Sequence, residues 1–133
     1  MTIQVWLPGV PPQQRTAEAG FLTKVAPSTT VSLAGATLCA TDFMVLTTIG
    51  AAGAVKVLGG ADTTNAAGNP NGPCIIGDTM TIANHTGQNV TIYPNNASGT
   101  IKNGAAGAGT LIATGLTAFL TYFGSDNWTM NAS

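Results

Sequence analysis

The chain reads as an all-β protein, a single β-sandwich or jelly-roll-like barrel of about eight short antiparallel strands with an extended N-terminal arm. Three observations predict this. Apolar residues alternate with polar ones at a period of two, the mark of strands with one packed face and one wetter face. Short connectors containing glycine separate these runs, as turns between strands require. A chain of 133 residues is most simply one domain. Surface scaling gives ~6,400 Å² folded against ~19,000 Å² extended, enough to bury a real but not a thick core.

Residues 1–28 are assigned to the arm and residues 29–133 to the β domain. Pro8, Pro11 and Pro12 keep the first stretch extended and out of a sheet interior. Ile3, Val5, Trp6 and Leu7 form an apolar cluster just before them. A Trp on an extended arm gives much buried area from few ordered atoms. Two readings stay open: the arm docks on a neighbouring subunit, or it folds back on its own domain. Thr16 to Lys24 is compatible with one helical turn that places Phe21 and Leu22 inward, limited by Gly20 and Pro27.

The strand pattern starts at Thr29. Val31 and Leu33 alternate with Thr30 and Ser32, Gly35 offers a turn, and Thr37-Leu38-Cys39 continues the pattern. Phe43 to Thr48 is a fuller apolar run suited to a central strand. Ala51-Ala52-Gly53 then turns the chain. Ala54 to Leu58 returns as its partner, with Val55 and Val57 inward and Lys56 outward. The clearest signal runs from Asp78 to Pro94. There Met80, Ile82, Val90 and Ile92 alternate with Thr79, Thr81, Thr91 and Tyr93 on either side of His85-Thr86-Gly87-Gln88. A short polar connector with a glycine predicts a β-hairpin. The two hairpins share a layout, an apolar strand, a Gly-containing turn and a V-x-V or V-x-I strand, with too little identity to count as a duplication.

Asn95 to Gly99 turns the chain into a short strand, Thr100-Ile101-Lys102, and Asn103 to Gly109 makes another connection. Leu111-Ile112-Ala113 and Thr117 to Phe123 read as strands. Phe119, Leu120, Tyr122 and Phe123 make both faces of the second one apolar, which predicts one face on the core and the other on a subunit interface. Gly124 to Asn127 turns into a terminal strand, Trp128-Thr129-Met130.

Charge is scarce. Four basic and five acidic residues make up 7% of the chain, where an average soluble domain has about 25%. Thr, Ala and Gly fill more than two-fifths of it, and they cost little to desolvate. A free monomer with such a surface is a poor colloid, so the composition favours an obligate assembly. The alternative reading is a secreted, Thr-rich extracellular module. Arg15, Lys24, Lys56 and Lys102 are scattered singly, which argues against a nucleic-acid partner. No apolar run reaches the roughly 18 residues that span a bilayer. MTIQVWLPGVPPQQR has neither the basic region nor the clean apolar region of a signal peptide. Cys39 and Cys74 lie outside any CxxC pair and read as buried free thiols rather than as one disulfide.

The residues do not assemble a catalytic, metal or cofactor motif. His85 is the one histidine and lies at a turn tip, the five acidic residues are isolated, and no Ser or Cys sits in a nucleophile elbow. The expectation is therefore a protein that is not an enzyme and has no cofactor, metal or small-molecule ligand. Gly59 to Pro73 is the longest irregular stretch, with Asp62 as its one charge, and it lacks both a P-loop and enough carboxylates for calcium. It is read as a contact loop, with Asp62, Asn69 and Pro70 as candidates, or as a plain surface loop. Asn-x-Ser/Thr triplets at Asn84, Asn89, Asn96, Asn127 and Asn131 are what an Asn- and Thr-rich chain produces by chance. Thr79-x-Thr81 alone is too little for an ice-binding array.

Gly77-Asp78, Asn84, Thr86-Gly87, Val90-Thr91, Gly99, Ala118-Phe119 and Trp128 follow an order that resembles small tailed-bacteriophage structural proteins, over roughly residues 29–130. These are capsid decoration or cement proteins and related head-fibre or tail accessory proteins. The resemblance implies a homotrimer on the outside of a virion head, with the major capsid protein as partner. On that reading Val5, Trp6, Leu7, Pro8, Pro11 and Pro12 anchor the chain, and the Gly59–Pro73 loop makes a second contact. The alternative is a fibre or tail module that binds carbohydrate or a receptor, with Trp128 and Tyr93 as sugar-stacking candidates.

Overall fold

The strands are forced into two sheets by what each buries. In the computed structural model, which describes residues 22–39, 43–59, 74 and 76–133, ten strands form and no helix is present among those residues. They are β1 (Leu22–Val25), β2 (Thr37–Leu38), β3 (Phe43–Leu46), β4 (Gly53–Lys56), β5 (Thr79–Asn84), β6 (Val90–Tyr93), β7 (Thr100–Ile101), β8 (Thr110–Ile112), β9 (Thr117–Gly124) and β10 (Asn127–Ala132). One sheet has the order β1-β3-β5-β9-β10-β7 and the other β2-β4-β6-β8. Met44, Leu46, Met80, Ile82, Leu120 and Trp128 from the first and Val55, Val90, Ile92 and Ile112 from the second share one buried cluster. The core therefore lies between the sheets. The alternation seen in the sequence assigns Val55, Met80, Ile82, Val90 and Ile92 correctly.

Strand pairing departs from the antiparallel expectation. β1, β3 and β5 run parallel, with Thr23 beside Met44 and Met44 beside Ile82. β2, β4 and β6 do the same in the second sheet, with Thr37 beside Val55 and Val55 beside Ile92. The chain crosses from one sheet to the other at every connection from β1 to β9. Neither expected hairpin forms: β3 and β4 lie in different sheets, and so do β5 and β6. The connectors at 47–52 and 85–89 are arcs that join opposing sheets. They stack on one another, Ile49 N–H donating to the Thr86 carbonyl (3.4 Å) and Gly53 N–H to the Asn89 carbonyl (3.0 Å). Parallel neighbours need a long crossover. Here an arc and a strand of the opposite sheet supply it, so a short arc imitates a hairpin loop in the sequence. The shared layout of the two segments is the mark of successive coils stacked in register.

Residues 94–133 close one end of this stack. β8 pairs antiparallel with β6, and β9 antiparallel with β5. β10 pairs antiparallel with β9, and β7 lies parallel to β10. β9 and β10 pair as a hairpin across the turn that the sequence places at Gly124 to Asn127. Ser125 and Asp126 sit there at φ 54° and 59°, the two positive angles of a two-residue turn matched to strand twist.

Two local expectations fail for identifiable reasons. Leu22 to Lys24, the end of the segment assigned to a helical turn, is extended because Leu22 to Val25 pairs along its length with Phe43 to Leu46. These four residues of the segment assigned to the arm belong to the sheet. Residues 29–35 form bends and turns instead of a strand. Ser28 Oγ takes the Thr30 N–H (3.0 Å) and Ser32 Oγ takes the Gly35 N–H (3.1 Å). Hydroxyls that capture nearby backbone donors compete with a strand ladder.

Candidate functional site

Val5, Trp6, Leu7, Pro8, Pro11, Pro12, Asp62, Asn69 and Pro70 lie outside the described residues, so the structure does not position the expected anchors. Among the described residues, no three His, Cys, Asp or Glu side chains come close enough to hold a metal ion. His85 is exposed at the arc between β5 and β6. Asp78 precedes β5, where its carbonyl accepts from the Tyr122 N–H (2.8 Å).

Both thiols are buried, and no disulfide joins Cys39 to Cys74. Burial in apolar surroundings pushes the Cys39 thiol up from 9.0 to about 12, because the thiolate cannot be solvated there. At pH 8 a disulfide reagent is expected to leave Cys39 unmodified in the native protein and to react once denaturant is added. Prompt native-state labelling of Cys39 contradicts this. The raised folded pKa means the native chain holds the proton longer than the unfolded one. This group's contribution to stability is thus full below pH 9 and is lost as pH rises toward about 12.

Two side chains with buried polar groups hold the scaffold, Asn84 and Trp128. Asn84, at the end of β5, is fully buried. Its Nδ2 donates to the Gln88 carbonyl (2.9 Å) and the Ile112 carbonyl (3.1 Å). Its Oδ1 accepts from the Thr86 N–H (3.1 Å), and the Thr86 hydroxyl lies 2.7 Å away. One side chain thereby joins the β5–β6 arc to β8. Burial also rules Asn84 out as a glycosylation acceptor. Trp128 is likewise buried, donating its Nε1–H to the Leu58 carbonyl (3.0 Å) with Tyr122 edge-on at 5.2 Å between ring centroids. A ring 1% exposed offers no face to a sugar, which removes Trp128 from the carbohydrate candidates. Tyr93 is half-buried beside Lys56 on the four-stranded sheet.

The surface that stands out is the outer face of the six-stranded sheet. Alternation sends Ala118, Leu120 and Tyr122 of β9 inward and leaves Phe119 and Phe123 49% and 43% exposed. Register lines up Phe43, Thr81, Phe119 and Asn131 across four adjacent strands. A second row holds Thr79, Thr121 and Thr129, and a third Val45, Ala83 and Thr117. No charged residue occupies these rows on β3, β5, β9 or β10; Lys24 stands on the flanking strand β1, opposite Val45. The two-sided apolar pattern of β9 signals this face in the sequence. Phe43 was absorbed there into a continuous apolar run, although Met44 and Leu46 facing inward put it outside.

Comparison with protein-family models, with curated proteins and with solved structures gives no match for this chain.

Proposed function

We propose that this chain is a virion structural protein, a capsid decoration or cement protein that binds the outer surface of an icosahedral head as a homotrimer and stabilises the shell. The observation that carries the reading is the scarcity of charge on a well-packed two-sheet scaffold. Only Lys24, Lys56, Asp78, Lys102 and Asp126 are charged among the described residues. Such a surface loses little on desolvation, and many weak contacts repeated over a symmetric shell add through avidity. The order of residues resembling tailed-phage structural proteins points the same way. The work is adhesive and calls for no reacting group, cofactor, nucleic acid, membrane or small ligand.

In this reading the N-terminal segment, with Trp6 and Leu7, anchors each copy on the major capsid protein, and the Gly59–Pro73 segment adds a second contact. Purified heads incubated with the full chain and with a version lacking residues 1–12 test it by co-sedimentation. Expected is saturable binding of the full chain, and at least tenfold weaker binding of the shortened one. Equal occupancy removes the anchoring role of the segment, and no binding by either removes the capsid partner.

A further inference from the structure

We propose that the outer face of the six-stranded sheet, centred on Phe119, Thr121 and Phe123 of β9, is the surface through which copies of this chain associate with one another. The inference deepens the assembly part of the proposed function by assigning a surface to it.

Three observations select a further copy as the occupant. The first is charge. The face carries none on β3, β5, β9 or β10, so two copies meet on it without like-charge repulsion, whereas a strongly charged partner finds no counter-ion there. The second is relief. In the first row Thr81 separates Phe43 from Phe119, and strands lie about 4.8 Å apart, which sets the two aromatic positions roughly 10 Å apart with a smaller side chain between them. Less the thickness of the flanking rings, that spacing accepts one phenyl ring. The face thus carries both the projecting ring and the slot for it, the self-complementarity that symmetric association needs.

The third is area. Four strands of four to eight residues project roughly 400 Å² before side-chain relief is counted, about half of the about 800 Å² per partner in a stable interface, and relief adds to it. Aromatic residues at the centre with uncharged threonine around them match the composition of interface cores, which are depleted in charge. The opposite sheet differs. Its outward positions include Lys56, and its most exposed apolar residue, Leu111, lies on edge strand β8. A trimer uses the face head to tail, the ring of one copy entering the slot of the next.

Sedimentation equilibrium of the full chain and of Phe119→Lys tests this, with Leu111→Lys as control and circular dichroism to verify the fold. Expected is an assembled native chain, an unchanged Leu111→Lys, and a Phe119→Lys whose mass falls to that of one 13.3 kDa chain. Should Phe119→Lys fail to fold, Thr121→Cys settles the point. Mild oxidation is expected to link its copies covalently, while Leu111→Cys stays unlinked. A monomeric native chain, a Phe119→Lys that stays assembled and folded, or a Thr121→Cys that gives no linked copies overturns the assignment. A dimer that Phe119→Lys dissociates upholds it and overturns only the threefold part of the proposed function. Dissociation without capsid binding by the native chain upholds it and overturns the capsid reading.

Discussion

Trp128→Ala is expected to lower the free energy of unfolding by about 3–5 kcal/mol, the range for emptying a large aromatic site in a packed core. A domain is stable by only about 5–15 kcal/mol in all, so much of the molecule unfolds under conditions the native chain survives. The site has two separable parts. The indole fills the space between the sheets against Tyr122, and its Nε1–H satisfies the Leu58 carbonyl just beyond β4. Trp128→Phe keeps most of the volume and leaves that carbonyl without its donor, for an expected cost of about 1–3 kcal/mol. Urea titration of both variants measures the two parts. A Trp128→Ala loss under about 1 kcal/mol contradicts a core built on this ring.

Asn84 gives the second large effect. Asn84→Leu removes donors from the Gln88 and Ile112 carbonyls and an acceptor from the Thr86 N–H, the last two bonds fully buried and the first partly so. The Gln88 carbonyl keeps the Thr86 hydroxyl as donor (2.8 Å), and the other two buried groups left unmatched cost about 1–3 kcal/mol each, so a total of about 2–6 kcal/mol is expected. Asn84→Asp separates shape from chemistry. Its carboxylate oxygens replace a donor that faced two carbonyls, so burial and repulsion raise the folded pKa above the unfolded value of about 3.9. Between those two values the folded form binds more protons than the unfolded one. Stability of Asn84→Asp therefore falls as pH rises from about 4, until the folded pKa is passed. Denaturation midpoints at pH 4 and pH 7 check the sign, and a variant more stable at pH 7 refutes the geometry.

Both effects fall where the sequence was hard to read. Period-two alternation separates inward from outward residues, and it did so for Met80, Ile82, Val90 and Ile92. It says nothing about which strand lies alongside. An arc between sheets and a hairpin within one sheet bury the same residues of Asp78 to Pro94, so the apolar pattern does not distinguish them. The difference lies in the polar residues. A hairpin pairs the backbone on either side of its turn, whereas an arc leaves those groups to side chains, the task Asn84 and Thr86 perform. The turn between β9 and β10 was legible because its local chemistry is that of a true hairpin. The outward face of β9 was legible too, since alternation breaks there only by adding phenylalanine to the outer side. Residues 29–33 misled because their alternation is real, while serine hydroxyls capture the backbone first.

Stacked arcs also connect the fold to the proposed role. Each coil presents a strand to both sheets, so a short chain gains two broad faces. One of them carries Phe119 and Phe123 without a charge on its central strands. A surface of that kind suits a subunit that works by adhesion.

Electron microscopy of intact phage particles labelled with an antibody against this chain tests that role most directly. The account predicts label at regular positions over the outer surface of the head. Label confined to the tail, or particles with none, contradicts it.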